Sequence, residues 1–514
     1  MELSMEQKTA MGVQYILNRL SPSSPYGQER VRRMEPYPRE QKVQLEEELY
    51  NLTCLITHGQ EIRSLKTEIQ RAFMQMKDIR PALRKGREMV LSDLELFELK
   101  NFLLYSDKAG RLAGQLTRRT GIRGICYKDT REALDLLDPD GRRIPSFAVY
   151  DSYSQELAEI RTRKRQLERQ METARQDEAR WEELREARTR EVIREEAEEA
   201  AVRQRLTNAL LPYFDAIQAN ADMTGRLDLL FEKQRAAGFG RHCVCPEITE
   251  HHLMIRTAEN PWVASVLREK GLEFTPLSIA LEYGTGVITG ANMGGKSVAL
   301  QTIALNTWMA LCGFYVYAEE ARIPLFDNIM IISEETQSVK RGLSSFGAQI
   351  VQVKQMIDRI PDQFCFLIMD EFARGTNPEE GAALVRAVTR YLNECKVIAL
   401  LVTHFDHVAE YARVHYQVAG LRDMDMGQVS REIAAAGEER AVSVIAEHMN
   451  YGIFRVEREA DCPKDAFRIC RLLGLQDAVM DRLEEPQKAE PADCAPGGTE
   501  EAEHKKQVRT EQPD

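Results

Sequence analysis

The stretch GVITGANMGGKS, residues 286–297, decides the fold. Its first four residues form a short apolar run that reads as a buried strand. The next eight, Gly290-Ala291-Asn292-Met293-Gly294-Gly295-Lys296-Ser297, fit the pattern GxxxxGK[ST], and residues 297–312 continue as a helix. Glycines in such a turn let backbone N–H groups point inward at phosphate oxygens, and the helix that follows aims its positive end at the same place. The pattern assigns Lys296 to the β- and γ-phosphates and Ser297 to Mg2+. ATP and Mg2+ are therefore the expected ligands.

Two further strand ends support this reading. FCFLIMDE, residues 364–371, is an apolar run that ends in Asp370-Glu371. Asp370 at such a position would orient a hydrated Mg2+, and Glu371 would polarise the attacking water. VIALLV, residues 397–402, is followed by Thr403-His404. A histidine at the end of a neighbouring parallel strand would lie near the γ-phosphate, since ligands of such sheets bind at the carboxyl edge. Glu371 and His404 are the expected catalytic groups.

Composition limits the alternatives. The chain has 514 residues, 43% hydrophobic and 29% charged, with a net charge of −12. That length allows two to four domains with sizeable cores. No run of 18 or more uncharged apolar residues is found, and the N-terminus has no signal-peptide core, so the cytoplasm is the default address and no membrane association is expected. The acidity excludes bulk electrostatic attraction to nucleic acid and leaves any such contact to a local patch. Ten cysteines follow no framework spacing. The tight pair Cys243-Val-Cys245 beside His242 lacks a second pair at ligand spacing, so no metal site is expected there.

Along the chain, residues 1–150 read mainly as helices. Residues 151–204 form a charged arm free of Gly over most of its length, with alternating signs that favour solvent-exposed helices and i,i+4 ion pairs. A single helix through the arm would reach roughly 65–70 Å at about 1.5 Å per residue, and a hairpin half that. Residues 205–245 return as an amphipathic helix. Residues 246–484 hold the α/β pattern and a compact helical segment at 464–484. Residues 485–514 are polar, rich in Pro and Glu, and expected to be disordered.

Taken together, TGANMGGKS (289–297), GLSSFGAQ (342–349), LIMDEFARGTNPEEG (367–381) and LLVTHFDHVAE (400–410) resemble the MutS family of ABC-type ATPases. SPYG (24–27), DIRPALRKG (78–86) and CPEI (245–248) extend the resemblance more loosely upstream. It implies an α/β P-loop ATPase domain, an N-terminal all-helical lever and clamp, and a small C-terminal helical dimerisation element. It also implies a head-to-tail homodimer, in which Ser344 and Ser345 of one subunit face the nucleotide of the other. The mismatch-reading domain with its Phe-x-Glu wedge is not expected before Ser24, and GLSSF replaces the GRSTF of the repair-type members. TQSVKRGLSSF is closer to the paralogue branch that lacks this domain, whose small C-terminal nuclease-like domain is not expected here either.

Two outputs follow from the resemblance. In one, the levers clamp DNA, as in mismatch repair or DNA-structure binding, with Arg161, Arg163, Lys164, Arg165 and Arg169 of the arm on phosphates. In the other, MNYGIFRV (449–456) and CPKDAFRICRLLGL (462–475) resemble ATPases that reactivate adenosylcobalamin-dependent amino-acid aminomutases, with a protein target and no DNA.

Overall fold

Residues 5–290, 295–332, 345–422, 424–437, 440–457, 460 and 466–475 are described in the computed structural model of the chain. Two sheets organise residues from 247 onward. Strands β1 (Glu247–Thr249), β2 (Leu253–Ala258), β3 (Leu277–Leu281) and β5 (Glu320–Pro324) make a small sheet in the order β1-β5-β2-β3. The larger sheet contains β4 (Gly284–Thr289), β6 (Asn328–Ile332), β7 (Cys365–Asp370), β8 (Ile398–Val402), β9 (Val414–Gly420) and β10 (Asn450–Val456), ordered β10-β9-β4-β8-β7-β6. Its strands run parallel except β10, which pairs antiparallel with β9.

The parallel strands read as unbroken apolar runs because both of their faces are covered. Alternate residues serve opposite layers. Ile288, Ile368, Leu400 and Val402 pack toward the helix Lys296–Leu311. Val287, Leu367, Met369, Ala399 and Leu401 pack toward the helices Ser345–Arg359 and Pro378–Glu394. The helix Lys296–Leu311 lies between the two sheets, which explains its burial on nearly every side, including the fully buried Trp308. Its one polar interior amide is satisfied: Asn306 donates to Glu259 O at 3.1 Å and accepts from Tyr317 N at 2.7 Å.

Residues before 240 are helical. Their own core joins the helices Lys42–Thr57, Arg63–Met74, Asp93–Thr120 and Phe214–Ala236 around Leu52, Phe73, Phe102 and Phe231. The helix Asp93–Thr120 opens with a capping box, Ser92 with Glu95, and stops at Gly121 in the left-handed conformation. The charged arm is a hairpin rather than one long helix. Gln155–Thr173 and Glu178–Leu210 pack against each other, and Asp177 caps the second by accepting from Arg180 N at 3.1 Å. The compositional boundary at 204 falls inside this second helix, which runs on to Leu210. The first of the two spans about 28 Å at 1.5 Å per residue. Among the described residues no helix is long and apolar enough to cross a membrane. Of the segment 464–484, the described part holds the short helix Ala466–Leu472, and the rest lies outside the described residues.

The SPYG motif clamps the helical region to its central helix. Ser24 caps Pro25–Arg32 by accepting from Gly27 N at 3.0 Å. Asp228, on Phe214–Ala236, accepts from Ser23 N at 3.1 Å, Ser24 N at 2.7 Å and Ser24 Oγ at 2.6 Å. Gly27 is required here by close approach, since a Cβ would lie 2.5 Å from Asp228 Oδ2.

Burial raises the Asp228 carboxyl from 3.8 to about 6 against these three bonds, which favour the anion. Between those values the folded chain keeps a proton that the unfolded chain has lost. The associated stability is present below pH 4 and is lost as pH rises through 6, on the order of 3 kcal/mol in all. Asp228→Asn should therefore gain relative to the parent chain between pH 4.5 and 7.5 when unfolding free energies are compared by denaturant titration. A constant difference would show that Asp228 titrates like an exposed carboxylate.

Candidate nucleotide site

The sheet order sets the site. β8 lies between β4 and β7, so the carboxyl ends of three parallel strands bring Gly290, Thr403-His404 and Asp370-Glu371 to one edge. Thr289 closes β4 as a buried hydroxyl whose Oγ1 lies 2.8 Å from Nε2 of the buried His415 on β9. The other ring nitrogen of His415 lies 3.0 Å from Glu457 O. This pair anchors the start of the P-loop to the neighbouring strand.

Two glycines bracket the loop for backbone reasons. Gly290 has φ 144°, and Gly295, which opens the helix Lys296–Leu311, has φ 82°. A Cβ on Gly295 would fall 2.9 Å from the Tyr451 ring. Ala291, Asn292, Met293 and Gly294 lie outside the described residues, as do Ser344 and the side chain of Ser345.

Lys296 is 4% exposed. Its Nζ donates to Gly290 O at 2.7 Å and lies 3.8 Å from Glu371 Oε1. Glu371 also takes a hydrogen bond from Arg374 Nη1 at 2.6 Å on its other oxygen, so the carboxylate is held between two cations. The turn that carries it is strained, with Glu371 at φ 48° and Ala373 at φ 64°. Glu371 N–H donates to Val402 O at 3.1 Å, which fastens the turn to β8.

His404 sits half-buried beside this group, its ring 4.4 Å from that of Phe405. Its Nδ1 is buried and finds no hydrogen-bond partner among the described residues. Burial pulls its pKa below the ordinary value; the Glu371 charge opposes this, and Lys296 and Arg374 add to it. The ring is accordingly neutral at pH 7 and free to exchange one hydrogen bond with a ligand at Nδ1.

Ser297, Asp370, Glu371 and Arg374 line one cavity of about 180 Å3 together with Gln7. A hydroxyl and two carboxylates around such a space form the oxygen-rich donor set that a hard divalent ion requires, so the residues fit Mg2+, held by Ser297 and Asp370. The buried ammonium of Lys296 fits a polyphosphate. Among the described residues no cluster of three or more His, Cys, Asp or Glu is arranged to hold a metal by protein ligands alone, and this includes the neighbourhood of Cys243 and Cys245.

Four participants are not evident from the sequence. Arg374 lies within the DEFARGT stretch, but its role as partner of Glu371 needs the turn geometry. His415 lies on a strand whose apolar character carries no sign of a link to Thr289. Gln349 and Gln7 come from distant segments. Gln7, on the N-terminal helix Met5–Ala10, donates to Ile331 O at 3.1 Å and so reaches the end of β6.

Residues 286–471 match MutS domain V, the segment that holds every strand of the larger sheet except the start of β4. Over these residues the chain is similar to the MutS family. Among its relatives are proteins named Endonuclease MutS2. The one from Acetivibrio thermocellus is 30% identical over 222 residues, 43% of this chain and 27% of the relative. The one from Fusobacterium nucleatum is 34% identical over 204 residues, 39% of this chain and 25% of the relative. The one from Exiguobacterium sibiricum is 28% identical over 303 residues, 58% of this chain and 34% of the relative. The match thus spans between a quarter and about a third of each relative's length.

The cations of the arm differ from the expected phosphate-binding row. Arg161 donates to Asp151 at 2.6 Å, Glu195 at 2.9 Å and Glu199 at 2.7 Å. Lys164 is bonded to Glu195, Arg163 to Glu159, and Arg165 lies 3.6 Å from Asp151. Four of the five named cations are thus engaged by carboxylates of the hairpin and its base. The alternating charge that stabilises the hairpin is the same charge that would have met phosphates.

Proposed function

We propose that this MutS-like chain hydrolyses ATP at a homodimer interface and uses the cycle to move its helical region on a target, with DNA as the first candidate. One observation carries the reading: Lys296 comes within 3.8 Å of Glu371, which lines one cavity with Ser297 and Asp370. In this reading Lys296 exchanges its contact with Glu371 for the phosphates, and Glu371 takes the proton of the attacking water. Neutral His404 offers Nδ1 to the γ-phosphate region. Mg2+, held by Ser297 and Asp370, supplies charge neutralisation of the phosphates when bound. Ser344 and Ser345 of the partner subunit complete the site in the family arrangement. A nucleotide drives the levers to the extent that it binds the closed state better than the open one.

The relatives' designation as endonucleases makes nucleic acid the first target to test. The pairing of the arm cations with carboxylates supports a DNA contact outside the row at 161–165. The test is ATPase rate against duplex, mismatched and branched DNA at two salt concentrations. The expected result is severalfold stimulation that weakens as salt rises, by release of counterions. A flat response from a chain with intact ATPase would move the target to a protein. The self-neutralised arm and the net charge of −12 keep that second outcome, a protein target such as a cobalamin-dependent aminomutase, as the alternative to DNA.

A further inference from the structure

We infer that Gln349 is a positioning residue for Glu371, acting through the turn that carries this carboxylate; the inference rests on the ATPase reading and deepens it. Gln349 lies on the helix Ser345–Arg359 and is 1% exposed. Its Oε1 accepts from Ala373 N–H at 3.1 Å. A backbone N–H can only donate, so the amide must turn its oxygen, not its nitrogen, toward the turn.

The turn needs such support. Glu371 and Ala373 both occupy the left-handed region, at φ 48° and 64°, and neither is glycine. Such residues persist only where the surroundings over-determine them. Glu371 N–H is fixed by Val402 O at 3.1 Å, and Arg374 N–H closes on Glu371 O at 3.2 Å. Those bonds hold the two ends. Gln349 holds the middle, at a residue with no exposed surface and no room to find water. Gly381, on the helix Pro378–Glu394, leaves space for the same residue, since a Cβ there would lie 3.0 Å from Ala373 O. Ala373 is therefore fixed by Gln349 in a closely packed place, and the direction of the Glu371 side chain toward Lys296 depends on that bond.

Without the Gln349 oxygen, Ala373 N–H would be buried with no acceptor, and the turn would relax toward right-handed backbone angles. The carboxylate would then leave its place beside Lys296, while the phosphate-holding loop on β4 would be untouched. A residue of this kind alters turnover and leaves nucleotide affinity in place.

The experiment uses the full chain and compares Gln349→Met, which keeps the length and loses the acceptor, with Gln349→Glu, which keeps an acceptor oxygen. ATP affinity is measured by calorimetric titration and kcat by phosphate release. Gln349→Met should lower kcat by about 10- to 100-fold, the scale of an ångström-sized misplacement of a catalytic group, with affinity unchanged, and Gln349→Glu should retain more of the rate. The deciding variant is Ala373→Gly in the Gln349→Met background. Glycine adopts the left-handed angle without support, so it should restore most of the rate, whereas a loss due to packing alone would not respond to glycine at 373. Parental kcat in Gln349→Met, or a double variant no faster than the single one, would overturn the inference. If Gln349→Met does not fold, Gln349→Asn, too short to reach Ala373 N–H, takes its place with the same two deciding results. A parent chain that hydrolyses no ATP would instead overturn the ATPase reading itself.

Discussion

Lys296→Ala is expected to remove measurable ATP binding, weakening it by at least about a hundredfold, the consequence of roughly 3 kcal/mol or more lost when a buried charge loses its counterpart. The lysine is 4% exposed and its ammonium is held by Gly290 O and Glu371. It is thus pre-positioned at the mouth of the loop, with little side-chain freedom left to lose on binding. Its removal would leave the Glu371 carboxylate facing the phosphates with no positive charge between them. Attraction would become repulsion at the same spot. Titration calorimetry with ATP and Mg2+ reads this directly, and unchanged affinity would sink the assignment of residues 290–297 as a phosphate loop.

The second large effect separates binding from chemistry. Glu371→Gln should keep ATP affinity and lower turnover by about 10²- to 10⁴-fold, the range for loss of a positioned proton acceptor. The bonds that shape the turn, to Val402 O and from Ala373 N–H, involve main chain and Gln349, so the substitution leaves them in place. Glutamine keeps the shape, and Lys296 loses the carboxylate that competes with phosphate for it, so affinity is retained or improved. ATP that binds and is not hydrolysed should accumulate the closed homodimer, since a ligand bound to one state holds that state by mass action. Analytical ultracentrifugation with and without ATP measures the shift. Turnover at the parental rate would take Glu371 out of the proton-accepting role.

These two variants concern the part of the molecule most legible in the sequence. The P-loop, β4, β7 and β8 could be read because each is a local signal. A strand covered on both faces must be apolar at successive positions, and a phosphate turn must place Gly, Lys and Ser at fixed spacing. The acidic end is part of the strand itself: β7 runs over Cys365–Asp370. The arm shows where local reading stops. Its composition favours helices, yet one long helix and a hairpin satisfy the same alternating charges. The choice lies in pairs such as Arg161 with Glu195 and Arg188 with Glu168, which form only when the two helices meet. That choice also decides whether the arm's cations are available to phosphates.

By itself, then, the sequence determined the signals that sit within a few residues: a glycine-rich turn ending in Lys296 and Ser297, an acidic strand end, a histidine after a buried strand, and the helical character of the first 240 residues. The tertiary structure alone decided which of these lie together. Strand order placed β8 between β4 and β7, so that His404 falls between Gly290 and Glu371. It also brought in Gln7, Gln349, Arg374 and His415, whose partners are set by hydrogen bonds across as many as 324 positions or by an irregular turn. The physical reason is that periodicity and propensity act along the chain, whereas strand pairing and the burial of single polar groups are settled between segments, by which faces exclude water together.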